Sequence, residues 1–177
     1  VQGAWFSPIA LNPQNSSILF VGGNGNVFMS SNKGTSWAAI STNLTGGSQI
    51  EFIGNTGTTV YAATNKKVFK TINNGNNWTE VTSNLPLSNA NISWLFVHPS
   101  NPNLVLITFW NLSSGNKVFS TIDGGTTWIN ISGTLPNIPV NCIEADVNNA
   151  VHSLYIGTDW GVYYSDTTTQ DWTSFDT

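Results

Sequence analysis

Arginine is missing from the sequence, and five lysines (Lys33, Lys66, Lys67, Lys70 and Lys117) are its only fixed cations. Nine acidic residues bring the formal net charge to −4. Such a chain has no basic stripe with which to displace the counterions of a nucleic acid, so nucleic-acid binding is not expected. It also lacks a polybasic segment to hold it on an anionic membrane. Charge of either sign is scarce, at 8% of residues, and solubility rests on neutral polar groups; asparagine alone occurs 24 times. Cys142 is the single cysteine, which excludes an internal disulfide. Its neighbours Val140 and Ile143 place it in a core as a small apolar residue. Long apolar runs are missing too. The longest, residues 104–110, is interrupted by Thr108 and falls far short of the ~20 residues a membrane-spanning helix needs, so no membrane insertion is expected. No stretch keeps a 3.6-residue apolar period for three turns, and helix is not expected. No signal peptide is visible and the chain opens at Val1 without Met, a start expected of a processed or excised piece. The surface, rich in Asn, Ser and Thr, points to a secreted, extracellular or cell-surface setting.

What is present is a repeat. Three segments align: Ser30, Asn32, Gly34 and Trp37; Thr71, Asn73, Gly75 and Trp78; Thr121, Asp123, Gly125 and Trp128. A fourth keeps Ser165 and Trp172 but has Thr167 and Thr169 where the amide or acid and the glycine stand. The tryptophans are 41, 50 and 44 residues apart, a period that suits four short strands with their turns. Around each motif the sequence reads alike. Two alternating or apolar runs precede it (18–22 and 27–30, 59–64 and 68–72, 104–110 and 118–122, 154–158 and 162–165). One run follows (37–41, 78–82, 128–132, 172–175), and one more lies upstream (8–11, 50–53, 92–97, 140–145). Turn-forming Gly, Asn, Asp and Pro separate them. The expected fold is all-β: a β-propeller of four blades, each of four antiparallel strands, covering approximately residues 5–43, 48–84, 90–135 and 138–177.

The motif spans the hairpin between the third and fourth strands of a blade. Asn32, Asn73 or Asp123 can fold its oxygen back onto backbone N–H groups of the turn, and Gly34, Gly75 and Gly125 supply positive φ. The leading Ser30, Thr71 or Thr121 is expected to bridge to the facing strand. The closing tryptophan is expected to cover its own hairpin. These segments resemble the Asp-box, or BNR, repeat S/T-x-D/N-x-G-x-x-W of sialidases, sortilin-type receptors, xyloglucan-degrading glycosidases and many secreted bacterial proteins. The resemblance covers nearly the whole chain and implies a bacterial, secreted propeller. In those families the box is structural and lies away from the ligand face, so it implies a fold and no activity.

Enzyme readings meet chemical obstacles. The sialidases it resembles grip a sugar carboxylate with several arginines, whose planar fork lysine cannot copy; a chain without arginine excludes that activity. A glycosidase needs two carboxyls across a cleft. Glu144 and Asp146 share one face of an expected inner strand, making them the best catalytic pair, though channel-lining solvated carboxylates are the simpler reading. The similar xyloglucan-degrading enzymes place their acids between two propellers, so four blades would carry part of such a site. His98 and His152 are far apart without a carboxylate cluster and make no metal set. Neither a metal nor a cofactor is expected.

A binding role fits better. Loops joining second to third strands gather on one face of a propeller; here they are residues 23–26, 64–67, 110–116 and 158–161. Trp110, Asn111, Asp159 and Trp160 fall there and would meet a glycan or a protein, whereas Trp94, inside a strand, reads as core. The expected function is a non-catalytic binding or scaffold module, the rival being part of a polysaccharide hydrolase. Four blades in an open arc would expose two apolar flanks. A four-bladed closure, a homodimer forming an eight-bladed ring, or further blades of a larger parent protein would each cover them. The last is expected of the natural protein, with self-association of the isolated piece.

Overall fold

The computed structural model describes residues 6–112, 114–148, 153–168 and 171–175; His152, Thr169 and Asp176 lie outside them. Every regular element among the described residues is a strand, and the strands form the four four-stranded antiparallel sheets of a β-propeller. Blade 1 is β1 (Ile9–Leu11), β2 (Leu19–Gly22), β3 (Val27–Ser30) and β4 (Ala38–Ala39). Blade 2 is β5 (Phe52–Thr56), β6 (Thr59–Ala63), β7 (Val68–Thr71) and β8 (Thr79–Glu80). Blade 3 is β9 (Asn91–Val97), β10 (Val105–Trp110), β11 (Val118–Thr121) and β12 (Ile129–Asn130). Blade 4 is β13 (Val140–Ala145), β14 (Leu154–Thr158), β15 (Gly161–Ser165) and β16 (Thr173–Ser174). In each the spatial order follows the chain.

The chain divides into two compact units. The first is Val1–Thr82 with Pro99–Pro102 and holds blades 1 and 2; the second is Ser83–His98 with Asn103–Thr177 and holds blades 3 and 4. In the first, Val27, Ile50 and Ala62 form a buried cluster against which Ile40, Leu44, Ile53 and Trp78 pack. The segment 99–102 is tied to it by the Thr56 hydroxyl, which donates to the Pro99 carbonyl (2.6 Å), and by the Tyr61 hydroxyl, which donates to that of Pro102 (2.7 Å). In the second, Leu106, Val118, Leu135, Val140, Ile143, Ile156 and Trp172 form a buried cluster. Leu106 of β10 and Val140 and Ile143 of β13 feed it.

The fourth strand of every blade is two residues long, shorter than the apolar run that follows each motif. One more backbone bond forms, from Ile40, Val81, Ile131 or Phe175 to the third strand. Then a side chain takes over: the hydroxyls of Ser41, Thr82 and Ser132 accept the N–H of Val27 (2.8 Å), Val68 (3.1 Å) and Val118 (3.0 Å). A hydroxyl that satisfies a ladder donor ends the ladder.

The hairpins keep the expected turn chemistry with one change. The leading hydroxyl bonds inside the turn: Ser30 Oγ donates to Asn32 Oδ1 (2.9 Å) and accepts the Gly34 N–H (2.8 Å). Thr71 and Thr121 do the same with Asn73 and Gly75, and with Asp123 and Gly125. The third-position oxygen also takes the N–H of Ser36, Asn77 or Thr127. Two successive residues have positive φ in each of these turns, the glycine and the residue before it. In blade 4 the turn is held differently, by Asp166 Oδ1 accepting both the N–H (2.8 Å) and the hydroxyl (2.6 Å) of Thr168.

The closing tryptophan does not merely cover its own hairpin. Trp78 Nε1 donates to the Ile40 carbonyl of blade 1, and Trp172 Nε1 to the Ile131 carbonyl of blade 3, both at 2.8 Å. Each rivets its blade to the one before it.

Two residues read as core lie outside it. Cys142 is exposed, because a bulge between Val140 and Cys142 breaks the alternation of β13. Its sulfur sits where a side chain at position 157 would be, a Cβ there lying 2.8 Å from Sγ, so Gly157 leaves it room. Trp94 is in a strand, β9, but on its exposed side.

Candidate functional site

The structure places Trp110, Asn111, Asp159 and Trp160 in the second unit. Trp110 ends β10, and residues 111–117 lead from it to β11; Asp159 and Trp160 form the two-residue turn between β14 and β15. The turns are linked by a chain of contacts. Asn91 pairs with Trp110 in register, and a register shift beside it makes Ser93 an extra residue. The Ser93 hydroxyl donates to the Val140 carbonyl (2.6 Å). Val140 pairs with Thr158, which precedes the second turn. Both turns therefore open at one end of this unit.

Each turn is stiffened from beneath. Thr158 Oγ1 donates to the Gly161 carbonyl (2.8 Å) and accepts the Trp160 N–H (3.2 Å), which leaves the ring at the tip. Asp159 Oδ1 accepts from Asn141 Nδ2 (2.9 Å). Under the longer turn lies Lys117, fully buried although it is a lysine. Its Nζ donates to the Asn111 carbonyl (2.5 Å), to Asn111 Oδ1 (3.1 Å) and to Asn137 Oδ1 (3.1 Å). Three neutral oxygens satisfy its three donors, and burial pulls its pKa below the ordinary lysine value. Asn130 Nδ2 donates to the Gly115 carbonyl (2.5 Å) and closes the turn's far side.

The result is a polar, backbone-anchored base from which large apolar groups project. Trp110 is 58% and Trp160 70% exposed, with Leu112 exposed between the anchors of its turn. Trp94 shares the sheet face of Trp110: it pairs with Thr108, two residues along β10. Sequence reasoning missed Trp94, Lys117 and Asn141. Nothing in the local sequence marks a lysine flanked by Asn116 as buried, while Trp94 is betrayed only by the bulge.

The other sequence candidates are dispersed. Glu144 is exposed in β13, opposite Tyr155. Asp146 stands past the strand end, where its Oδ1 accepts the Asn148 N–H (3.1 Å). It also borders an open apolar groove of about 500 Å³ lined by His98, Leu104, Ile122 and Leu154. Glu80 pairs with Lys67 at 2.9 Å, and that hydrogen bond holds its carboxyl below the usual range. Hydrogen bonds from Thr127, then from Thr121, hold Asp123 far below it. Asp171 is lowered by the Thr134 hydroxyl and N–H. Asp123, Asp146 and Asp171 belong to turns and a blade junction, and Glu80 and Glu144 to strands. The first-unit loops 23–26 and 64–67 carry no exposed large apolar side chain among the described residues.

Comparison with known proteins agrees with this architecture. The Sortilin-Vps10 family model (sortilin, neurotensin receptor 3) matches residues 25–139. No curated protein sequence matches the chain. Among solved structures, YCF48 from Cyanidioschyzon merolae aligns with a TM-score of 0.66 at 14% identity over 94% of this chain and 54% of its own. The GH74 xyloglucanase from Xanthomonas campestris aligns at 0.69 and 11% identity, over 96% and 30%. The β-propeller domain of Cps50 (Swd1), described as from Myceliophteria thermophila, aligns at 0.70 and 13% identity, over 97% and 55%. At these identities the likeness is one of fold, and the chain spans about half or less of each of these proteins.

Proposed function

Because the chain belongs to the Sortilin-Vps10 family of propellers, we propose that it is a non-catalytic binding module of an extracellular protein and takes a neutral glycan on the loop end of its second unit. The observation that carries this reading is the pair of exposed rings, Trp110 and Trp160, projecting from turns anchored by Lys117 and Thr158. An indole face stacks on the C–H face of a pyranose, and the Asn141–Asp159 pair beside it offers the donors and acceptors that orient sugar hydroxyls. Among the described residues no lysine is exposed on these turns, which suits an uncharged ligand. We read the repeated hairpins as Asp-boxes with a structural role. Among the described residues no helix is long and apolar enough to cross a membrane.

Capture on an array of neutral and acidic glycans tests the reading. Trp110→Ala and Trp160→Ala are each expected to weaken capture about tenfold or more and to leave the melting temperature unchanged. Capture of no glycan, or capture by both variants equal to that of the wild type, would remove this assignment, and retention of a protein from the parent organism's surface would replace the ligand class. Release of reducing ends that stops in Glu144→Gln or Asp146→Asn would establish the rival, a partial polysaccharide hydrolase.

A further inference from the structure

The two inner strands of the second unit each carry one residue more than the register allows. In β9 the extra residue is Ser93, and in β13 it is Asn141. The inner strands of the first unit, β1 and β5, pair with β2 and β6 without a break. An extra residue disrupts the ladder locally and aims the side chains beside it in a new direction. Both extra residues fall in the unit whose turns carry the exposed Trp110 and Trp160.

Each extra residue is held by polar contacts. The Ser93 hydroxyl bonds with Thr108 Oγ1 (2.8 Å) and donates to the Val140 carbonyl (2.6 Å), which ties β9 to the start of β13. Asn141, the residue after Val140, reaches Asp159 beside Trp160 through its Nδ2 (2.9 Å). Trp94 follows Ser93 and pairs with Thr108, which is fully buried, yet Trp94 keeps 41% of its surface exposed. Its face of the sheet is that of Leu106, whose cluster includes Val140 and Ile143, so the ring stands on the side of blade 3 that faces blade 4. From Thr108 to Trp110 is about 7 Å along β10, and β9 lies about 5 Å to its side. Trp94 and Trp110 therefore stand further apart than the width of one pyranose ring.

We infer, resting on the reading of Trp110 and Trp160 as a glycan site, that Trp94 is its third stacking platform and that the ligand is an extended neutral oligosaccharide rather than a single terminal sugar. One sugar ring fills one indole face, and only a chain of sugars reaches the next. Asp159 has Oδ1 committed to Asn141, and its second oxygen is left to accept a sugar hydroxyl. The same carboxylate repels an acidic sugar. Trp94 thus sets the length of ligand that is held, while the Asn141–Asp159 pair sets its charge.

Calorimetric titration with oligomers of the glycan best retained on the array, from the monosaccharide upward, tests this. Wild-type affinity is expected to rise about tenfold between the shortest oligomer that binds and the length at which it levels. Trp94→Leu fills the packed part of the position without a stacking face. It is expected to lose that rise and to keep the wild-type affinity for the shortest ligand. Trp94→Phe restores a ring and is expected to recover most of the rise. If Trp110→Ala and Trp160→Ala weaken binding while Trp94→Leu holds long oligomers as the wild type does, the third platform is overturned and the glycan site stands. Wild-type affinity that does not change with length overturns the extended ligand in the same way. If the wild type binds no oligomer of any length, the glycan site itself falls, and this inference with it.

Discussion

Lys117 has three donors and three neutral oxygens around it. Removing its charge relieves a desolvation cost, but removing the ammonium orphans the acceptors, and for a buried site the second effect is larger. Lys117→Met is therefore expected to cost about 1–3 kcal/mol in urea unfolding and to weaken glycan capture by freeing the Asn111 turn; unchanged stability with unchanged capture would contradict that anchor. Its pKa is lowered in the folded chain, so the unfolded chain holds this proton to higher pH. The contribution of Lys117 to stability accordingly rises as pH climbs from the folded value to the ordinary lysine value. Asp123 runs the other way. Its carboxyl is held low by Thr127 and Thr121, a stabilisation present above the ordinary carboxylate range and lost as pH falls toward the depressed value. Asp123→Asn keeps the oxygen that Asn32 and Asn73 use in the matching turns. Its melting temperature is expected to lie below wild type at pH 7, with the gap narrowing in acid; a gap constant across that range would show that the charge is idle. Lys117 was hidden in the sequence because burial of a lysine depends on partners, here Asn111 and Asn137, that only the folded turn assembles. Cys142 misled for a related reason: its apolar neighbours are real, but the bulge turns it outward.

At the scale of the element, the hairpins were legible because their chemistry is local. Hydroxyl, amide and glycine meet within five residues, and every partner of Ser30 or Thr71 in the turn lies in the motif itself. The tryptophan's partner is a backbone carbonyl 38 residues earlier in blade 2 and 41 earlier in blade 4. Any residue can supply a carbonyl, so no pattern announces it. The distinction has a measurable consequence for two equivalent glycines. Both Gly34 and Gly75 have positive φ, but only Gly75 faces another blade. In dilute solution Gly34→Ala is expected to cost about 1 kcal/mol from backbone strain. Gly75→Ala adds overlap with Ile40 and is expected to cost about 1–3 kcal/mol more. Equal losses in urea unfolding would place the rivet elsewhere. The short fourth strands follow from the same local logic, since Ser41, Thr82 and Ser132 stand four residues after their tryptophans and end the ladder.

At the scale of the whole chain, the repeat period made the architecture readable in the sequence: four Trp-marked segments and, among the described residues, four sheets and sixteen strands. The proposed binding end was partly readable, because Trp110 and Trp160 fall outside the repeat and in equivalent turns. Trp94 was not, since its exposure depends on the Ser93 bulge and the contact to Val140. The tryptophans therefore fall into separate groups. Trp78 and Trp172 are bonded into blade junctions, Trp128 is buried, and Trp110 and Trp160 face solvent. An indole ¹H–¹⁵N spectrum of the labelled protein resolves them individually, with single Trp→Phe variants giving the assignments. On titration with the glycan best retained on the array, the Trp110 and Trp160 signals should shift while those of Trp78, Trp128 and Trp172 stay in place. Shifts confined to the junction tryptophans, or none at Trp110 and Trp160 under saturating ligand, would contradict the account.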